Sequence, residues 1–229
     1  MSPANTSAHG TARGRIDKRQ AILFAAFSVF AREGYSHASV DVIAAEAGVA
    51  KPTVYNHFGD KESLFREAVV VDADQVMAKN LAAVELLHNS GDDVRGTLED
   101  VGYRMLECYC DERSSALRRL LYAEITRFPD LLDIVRGRAA TRVEEALADR
   151  LARLSLAGRL RTEDPVVAAE QFIALLTGPV EARSALGTRP LPDSELKSLT
   201  RTAVDTFLQA FAARPPTEDS GHPDDAGQK

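Results

Sequence analysis

The chain reads as all-helical, on three observations. Apolar residues recur every three to four positions, as in Ile22, Leu23, Ala26, Phe27 and Phe30, which is the signature of a helix with one buried face. No segment sustains the period-two alternation of a half-buried strand. Glycine and proline punctuate the chain at helix-length intervals rather than every few residues. The 229 residues are 45% hydrophobic and 27% charged, an ordinary globular balance that suffices for one large or two small cores.

Taken in order, residues 1–14 are rich in Ser, Thr, Ala, Gly and Pro and are expected to form a disordered arm. A first helix follows from Asp17 to Glu33, with Gly34 as its stop. Ser39 suits an N-cap, and Val40, Ile43, Ala44 and Ala47 then share one face, so a short helix spans 40–47. Gly48 supplies the left-handed turn that ends it. Pro52 belongs in a first turn, which places the next helix at Lys51–Phe58. At about 100° per residue, Val54 and Phe58 point inward, Pro52 and Asn56 point away, and Thr53 and Tyr55 flank them. After Gly59, Asp60 caps a long helix from Lys61 to about Leu87, roughly 39 Å in length. Asn89 to Asp92 form a break, and further helices are expected at 93–110, 114–127, 130–157, 165–186 and 193–213. The tail 214–229 is proline-rich and acidic and is expected to be disordered.

The stretch 39–61 thus consists of two short helices, a glycine turn and the start of a third helix. That is the layout of a helix-turn-helix, whose second helix enters the major groove of DNA. The outward side chains suit such a role. Asn56 can pair with an adenine edge, Lys51 can reach a guanine edge or a phosphate, and Thr53, Tyr55 and His57 can donate to phosphate oxygens. The alternative is that these residues are the solvated face of a surface helix.

The run Gly34-Tyr35, Ser39-Val40, Ile43-Ala44, Ala47-Gly48-Val49, Pro52-Thr53-Val54-Tyr55, His57-Phe58, Lys61-Glu62 and Leu64 closely resembles the N-terminal DNA-binding domain of TetR-family transcriptional repressors, over residues 16–66. The resemblance implies DNA contacts by Ser39, Tyr55, His57 and Lys61, beside Lys51, Pro52, Thr53 and Asn56 on the recognition helix. It implies a DNA-binding domain at 15–66 and an all-helical ligand-binding and dimerisation domain at 67–213, joined by the long helix. One departure is Ala50, where the family often has a capping Ser or Thr.

The helix 165–186 carries Phe172, Ile173, Leu175, Leu176 and Val180 with few charges, so it is either central core or an oligomer interface; Pro179 should kink it. Resemblance to the family favours a homodimer built from 165–186 and 193–213, able to set two recognition helices on a palindromic double-stranded operator. The implied function is sequence-specific regulation of transcription, as a repressor released by a small, apolar or aromatic ligand, and the implied small-molecule partner is an inducer or a co-repressor. Tyr103, Met105, Tyr109, Leu121, Tyr122, Ile125 and Phe128, with Phe172, are candidates to line its pocket, or they are plain core. The sequence Ala123-Glu124 to Arg127-Phe128-Pro129 resembles that of a subset of the family. Only the helix 61–87 is expected to touch both domains and carry the signal between them.

The net charge of −6 divides unevenly. Residues 11–70 hold eight basic and seven acidic side chains, a balance of +1, which leaves −7 for the remainder. Arg13, Arg15, Lys18 and Arg19 cluster where they can approach phosphates. Cys108 and Cys110, two apart, point to nearly opposite sides of a helix and are expected to be reduced structural thiols. The scattered histidines predict no metal, no cofactor is expected, and the absence of nucleophile-elbow, zincin, P-loop and dinucleotide motifs predicts no enzyme. With no apolar run of 18 residues and no apolar N-terminal core, the expected location is cytoplasmic, without membrane contact.

Overall fold

A computed structural model describes residues 7–89 and 93–213. Among them are ten α-helices: α1 (Ser7–His37), α2 (Val40–Glu46), α3 (Lys51–Phe58), α4 (Lys61–Val84), α5 (Val94–Cys110), α6 (Glu112–Glu124), α7 (Pro129–Val135), α8 (Thr141–Leu156), α9 (Pro165–Arg183) and α10 (Asp193–Phe211). A 3₁₀ turn (Glu85–Asn89) extends α4, and a π turn (Arg136–Ala140) joins α7 to α8. The expectations for Met1 to Thr6, for Ser90 to Asp92 and for the tail from Arg214 fall outside the described residues.

Two expectations change. The first helix starts at Ser7, inside the stretch 1–14 assigned to a disordered arm. Each added residue brings one hydrogen bond to an existing helix, and Ala8, Ala12, Arg13 and Arg15 are strong helix formers. The single helix expected at 130–157 is interrupted by the π turn. On its two sides Leu131 and Val135 bury into one core, and Val143, Leu147 and Leu151 into another. The extra residue in the turn re-phases one stripe against the other.

The punctuation acts as read. Gly34 has φ 74° and ψ 161°, a conformation closed to side chains with a Cβ, and it swings Tyr35 inward. Gly48 (φ 65°) ends the second helix. Asp60 caps α4 by accepting from the Ser63 N–H at 2.7 Å. Ser39 caps α2 by accepting from the Asp41 N–H at 3.2 Å.

The apolar faces meet in two cores. The first gathers α1, α2, α3 and the first half of α4, and it also takes in Leu117, Leu120 and Leu121 of α6, Phe128, and Leu131 of α7. Its centre is aromatic. Phe30 and Phe65 meet edge to face at 5.0 Å, and Tyr35 and Phe128 do so at 4.9 Å. Such pairs add about 0.5–1.5 kcal/mol each beyond the area they bury. The second core packs α5, α8, α9 and α10 against the far end of α4, around Leu98, Leu106, Leu147, Phe172 and Phe207. A Cβ on Gly102 would lie 3.1 Å from both Leu176 and Thr200 side chains, so glycine lets α5 approach α9 and α10 closely.

The helix 61–87 is therefore not the sole link between the head and the body. Arg113, at the start of α6, reaches α1 and α4 together: its guanidinium lies 4.2 Å from the Phe24 ring centroid and 4.6 Å from that of Phe27. It donates from Nε to both carboxylate oxygens of Asp72, at 2.7 and 3.0 Å. Asp72 is only 1% exposed, and burial pushes its carboxyl up against the opposing pull of Arg113. The Tyr35 N–H donates to Glu124 Oε1 at 2.9 Å, and Arg66 of α4 grips Asp130 of α7 at 2.7 and 3.3 Å.

Candidate functional site

The face presented by α3 rests on two anchors, Val54 and Phe58, at 2% and 6% exposure. With these held in the core, Lys51, Pro52, Tyr55 and Asn56 are exposed in one patch, and Thr53 and His57 are half-buried at its edges. Ala50 leaves the helix without a side-chain cap. The Lys51 ammonium sits 2.9 Å from Asp41 on α2. Both groups are solvent-facing, so this pair is weakly held and the ammonium is free to exchange its partner for a phosphate. Ser39 lies at the other end of the motif, its hydroxyl already serving α2.

Lys61 opens α4 beside this patch. Its ammonium lies 4.8 Å from the Tyr35 ring centroid and donates to the Ser36 carbonyl at 3.4 Å. Burial, followed by the nearby charge of Arg127, lowers its pKa below the usual lysine value. Arg127 is a neighbour that sequence reasoning missed. Its guanidinium is 4.4 Å from the same ring, and it donates to Ser36 Oγ at 3.3 Å. Sixty-odd residues separate it from Lys61, and only the packing of Phe128 into the head brings it there. Of the N-terminal cations, Lys18 is exposed, while Arg19 is committed to Glu67 and to the Phe58 ring. Arg19 thus braces the head through an exposed pair, and the side chains of Arg13 and Arg15 lie outside what the structure describes.

A second site lies deeper. A cavity of about 250 Å³, open on one side, is lined by Val76 and Met77 of α4, Met105 and Tyr109 of α5, Leu117 and Leu121 of α6, Val143 of α8, and Ile173 and Leu176 of α9. Its wall is mostly apolar, with Asn80, Ser114, Arg118, Glu144 and Thr177 as polar points. Ser114 Oγ is buried and, apart from the weakly bonding Cys108 sulfur, lacks a hydrogen-bond partner. The Tyr109 hydroxyl donates to Glu181 at 2.6 Å, and burial with that bond pushes its pKa up. The cavity offers shape and dispersion to an apolar guest, with a few polar side chains on its wall for orientation.

Comparison with known proteins accounts for both halves of the chain. Residues 22–68 match the family model of bacterial regulatory proteins of the TetR family, and residues 96–213 match that of the AefR-like transcriptional repressor C-terminal domain. The chain belongs to the TetR family. Among curated TetR relatives it is 31% identical over 192 residues to the transcriptional repressor AcnR of Corynebacterium efficiens, covering 82% of this chain and 93% of AcnR. It is also 31% identical over 97 residues to the transcriptional activator FasR of Mycolicibacterium smegmatis, covering 42% and 44% of the two chains. Among solved structures, a TetR-family regulator of Mesorhizobium loti superposes with a TM-score of 0.79 at 30% identity, covering 86% of this chain and 98% of that one. The flavonoid-responsive regulator FrrA does so at 0.67 and 27%, with 86% and 98% covered. TetR proteins are regulators of transcription that bind DNA and act as dimers. Among the described residues no helix is long and apolar enough to cross a membrane.

Within this TetR chain the candidate pocket residues divide. Tyr109 and Leu121 line the cavity, as does Met105. The other five go elsewhere. The Tyr103 hydroxyl binds Glu107 at 2.9 Å and also Asp193, so this ring ties α5 to the start of α10. Tyr122 is 51% exposed because one residue beyond Leu121 the helix has turned about 100° from the Leu117–Leu121 stripe, and Ile125, 37% exposed, lies just past the last residue of α6. Phe128 belongs to the aromatic centre of the head. Phe172 is fully buried against Phe207 in the second core. Both cysteines are free thiols, Cys108 buried and Cys110 half-buried, each pushed up in pKa first by burial.

Proposed function

We propose that this chain is a ligand-released TetR-type repressor that binds a palindromic operator as a homodimer in the cytoplasm. The observation that carries this reading is the exposed patch of Lys51, Pro52, Tyr55 and Asn56 on a short helix whose inner side is locked by Val54 and Phe58. In it residues 15–66 read DNA, with Asn56 at a base edge and Ser39, Lys51, Thr53, Tyr55, His57 and Lys61 on phosphates. Residues 67–213 bind the ligand and dimerise. Repression is supported by the similarity to AcnR across most of both chains.

Dimerisation uses α9 and α10. The buried stripe of α9 is Ala168, Ala169, Phe172, Leu176 and Val180, and its other side leaves Val166, Val167, Ala174, Gly178 and Pro179 exposed. Small apolar residues on an exposed helix suit close packing against a second copy. Two copies can then set recognition helices about 34–36 Å apart on successive major-groove faces. The effector is a small, apolar or aromatic molecule in the 250 Å³ cavity, a reading supported by its lining and by the flavonoid response in the name of FrrA. Hundredfold release needs about 2.7 kcal/mol of differential affinity between the two states.

The experiment is a fluorescence-anisotropy titration of the full chain against the DNA upstream of its own coding region, at several salt concentrations. Saturable, sequence-specific and salt-sensitive binding is expected, and Lys61→Ala should weaken it and flatten the salt slope by about one ion. Binding equal to that of shuffled DNA at every salt concentration would sink the proposal.

A further inference from the structure

A second cavity, of about 550 Å³, lies between the start of α6 and the loop from α9 to α10. Three guanidiniums line it, those of Arg118, Arg119 and Arg189, with Glu112 as the only carboxylate. None of the three is paired with a carboxylate among the described residues. Arg118 donates to Ser115 Oγ at 3.2 Å and stacks 3.5 Å from the Tyr109 ring centroid. Arg119 donates to the Gly187 carbonyl at 2.6 Å, and Arg189 donates to the Arg183 carbonyl. Each bond goes to a neutral group, so the cleft keeps a surplus of positive charge over the single Glu112 carboxylate, and only some of the five donors of each guanidinium are used. Elsewhere on this surface arginines such as Arg32, Arg66, Arg95 and Arg153 meet a carboxylate. The Cys110 thiol, raised in pKa by burial, adds no negative charge to the cleft.

The rim is built rather than loose. Ala185 and Leu186 hold φ of 48° and 58° and Gly187 one of 78°, three successive left-handed residues of which two carry side chains. Such a run is strained at each side chain and persists only where its surroundings impose it. Here Ser184 Oγ accepts from the Gly187 N–H at 2.9 Å, and Arg119 holds the Gly187 carbonyl. A Cβ on Gly187 would fall 2.7 Å from that of Ser115, so the loop lies directly on α6.

We propose that this cleft is an oxyanion-binding site, taking a phosphate or carboxylate group between Arg118, Arg119 and Arg189. It goes beyond the reading of the apolar cavity, which it meets only at Arg118, a residue that lines both. An anion there draws on the free donors of Arg118 beside Tyr109, so it bears on one wall of the effector cavity.

The test is isothermal titration of the full chain with inorganic phosphate and, separately, acetate, which has no aromatic ring to fill the apolar cavity, at ionic strength held constant with sodium chloride. One saturable site per chain is expected for at least one of the two, and which one binds tells a phosphate ester from a carboxylate as the source. Arg189→Gln and Arg118→Gln should each weaken it roughly tenfold or more, the scale of losing a charge-assisted bond. Lys61→Ala, on the DNA face, should leave it unchanged, and operator affinity without added anion should be the same in Arg189→Gln as in the parent. No saturable binding of either anion overturns the proposal, and so does binding undiminished in both arginine variants or abolished by Lys61→Ala. Circular dichroism of Arg189→Gln, whose side chain is exposed, checks that the fold is kept.

Discussion

The head and the body of this molecule bury their apolar residues in different ways. The head's core is aromatic and partly borrowed: Phe30, Tyr35 and Phe65 pack on one another, and Phe128, from the loop before α7, packs on Tyr35 and Phe65. The body's core is largely aliphatic and formed from its own helices with the end of α4. The apolar cavity lies on the seam, lined from the head's core by Ala73, Leu117 and Leu121 and from the body's by Met105, Val143 and Leu176. A guest at a seam changes how two packed units sit against each other, whereas a guest inside either core would only strain that core. Under the proposed ligand release, filling this cavity would reach the recognition helix through α6 and Phe128 as well as through α4.

If the head depends on the body in this way, Phe128→Ala should produce the largest loss, about 3–5 kcal/mol by urea denaturation, with faster hydrogen exchange along α1. A head whose exchange is untouched by that substitution would be independent, and the comparison would fail. Arg113→Leu should cost a similar or slightly smaller amount, about 3 kcal/mol, because Asp72 is left buried without its partner. The sign with pH follows from the raised Asp72 carboxyl. A carboxyl whose folded pKa lies above its unfolded value lowers stability when ionised, so the deficit of Arg113→Leu should be largest near neutral pH and shrink as acid protonates Asp72. A deficit independent of pH would mean that lost packing on Phe24 and Phe27, not the buried charge, is responsible.

The remaining effects are confined to the head's surface. Asn56→Ala should remove about 1–3 kcal/mol of discrimination at one base pair, read by competition among single-base operator variants, with the melting temperature unchanged. Unaltered sequence preference would exclude Asn56 as a reader. Ala50→Ser restores a side-chain cap to α3 and should raise stability by about 0.5–1 kcal/mol, the smallest of these effects. A null result there would mean that contacts with α2 already fix the start of the helix.

Local rules written into consecutive residues determined the recognition motif. Ser39, Gly48, Pro52, Gly59 and Asp60 each dictate backbone geometry within a turn of themselves, so both short helices and their exposed and buried faces could be read without a partner in view. The same locality made the all-helical class and most helix bounds legible. Tertiary packing decided the rest. An aromatic residue on a helix looks alike in sequence whether it lines a cavity, as Tyr109 does, fills a core, as Phe172 does, or braces a distant element, as Phe128 and Tyr103 do. The π turn, the Asp72–Arg113 pair across 41 residues and the meeting of Arg127 with Lys61 arise from how the helices are laid against one another. Hydrophobic burial rewards apolar area without regard to direction or partner, so the pattern of a helix fixes which face is hidden and leaves open what hides it.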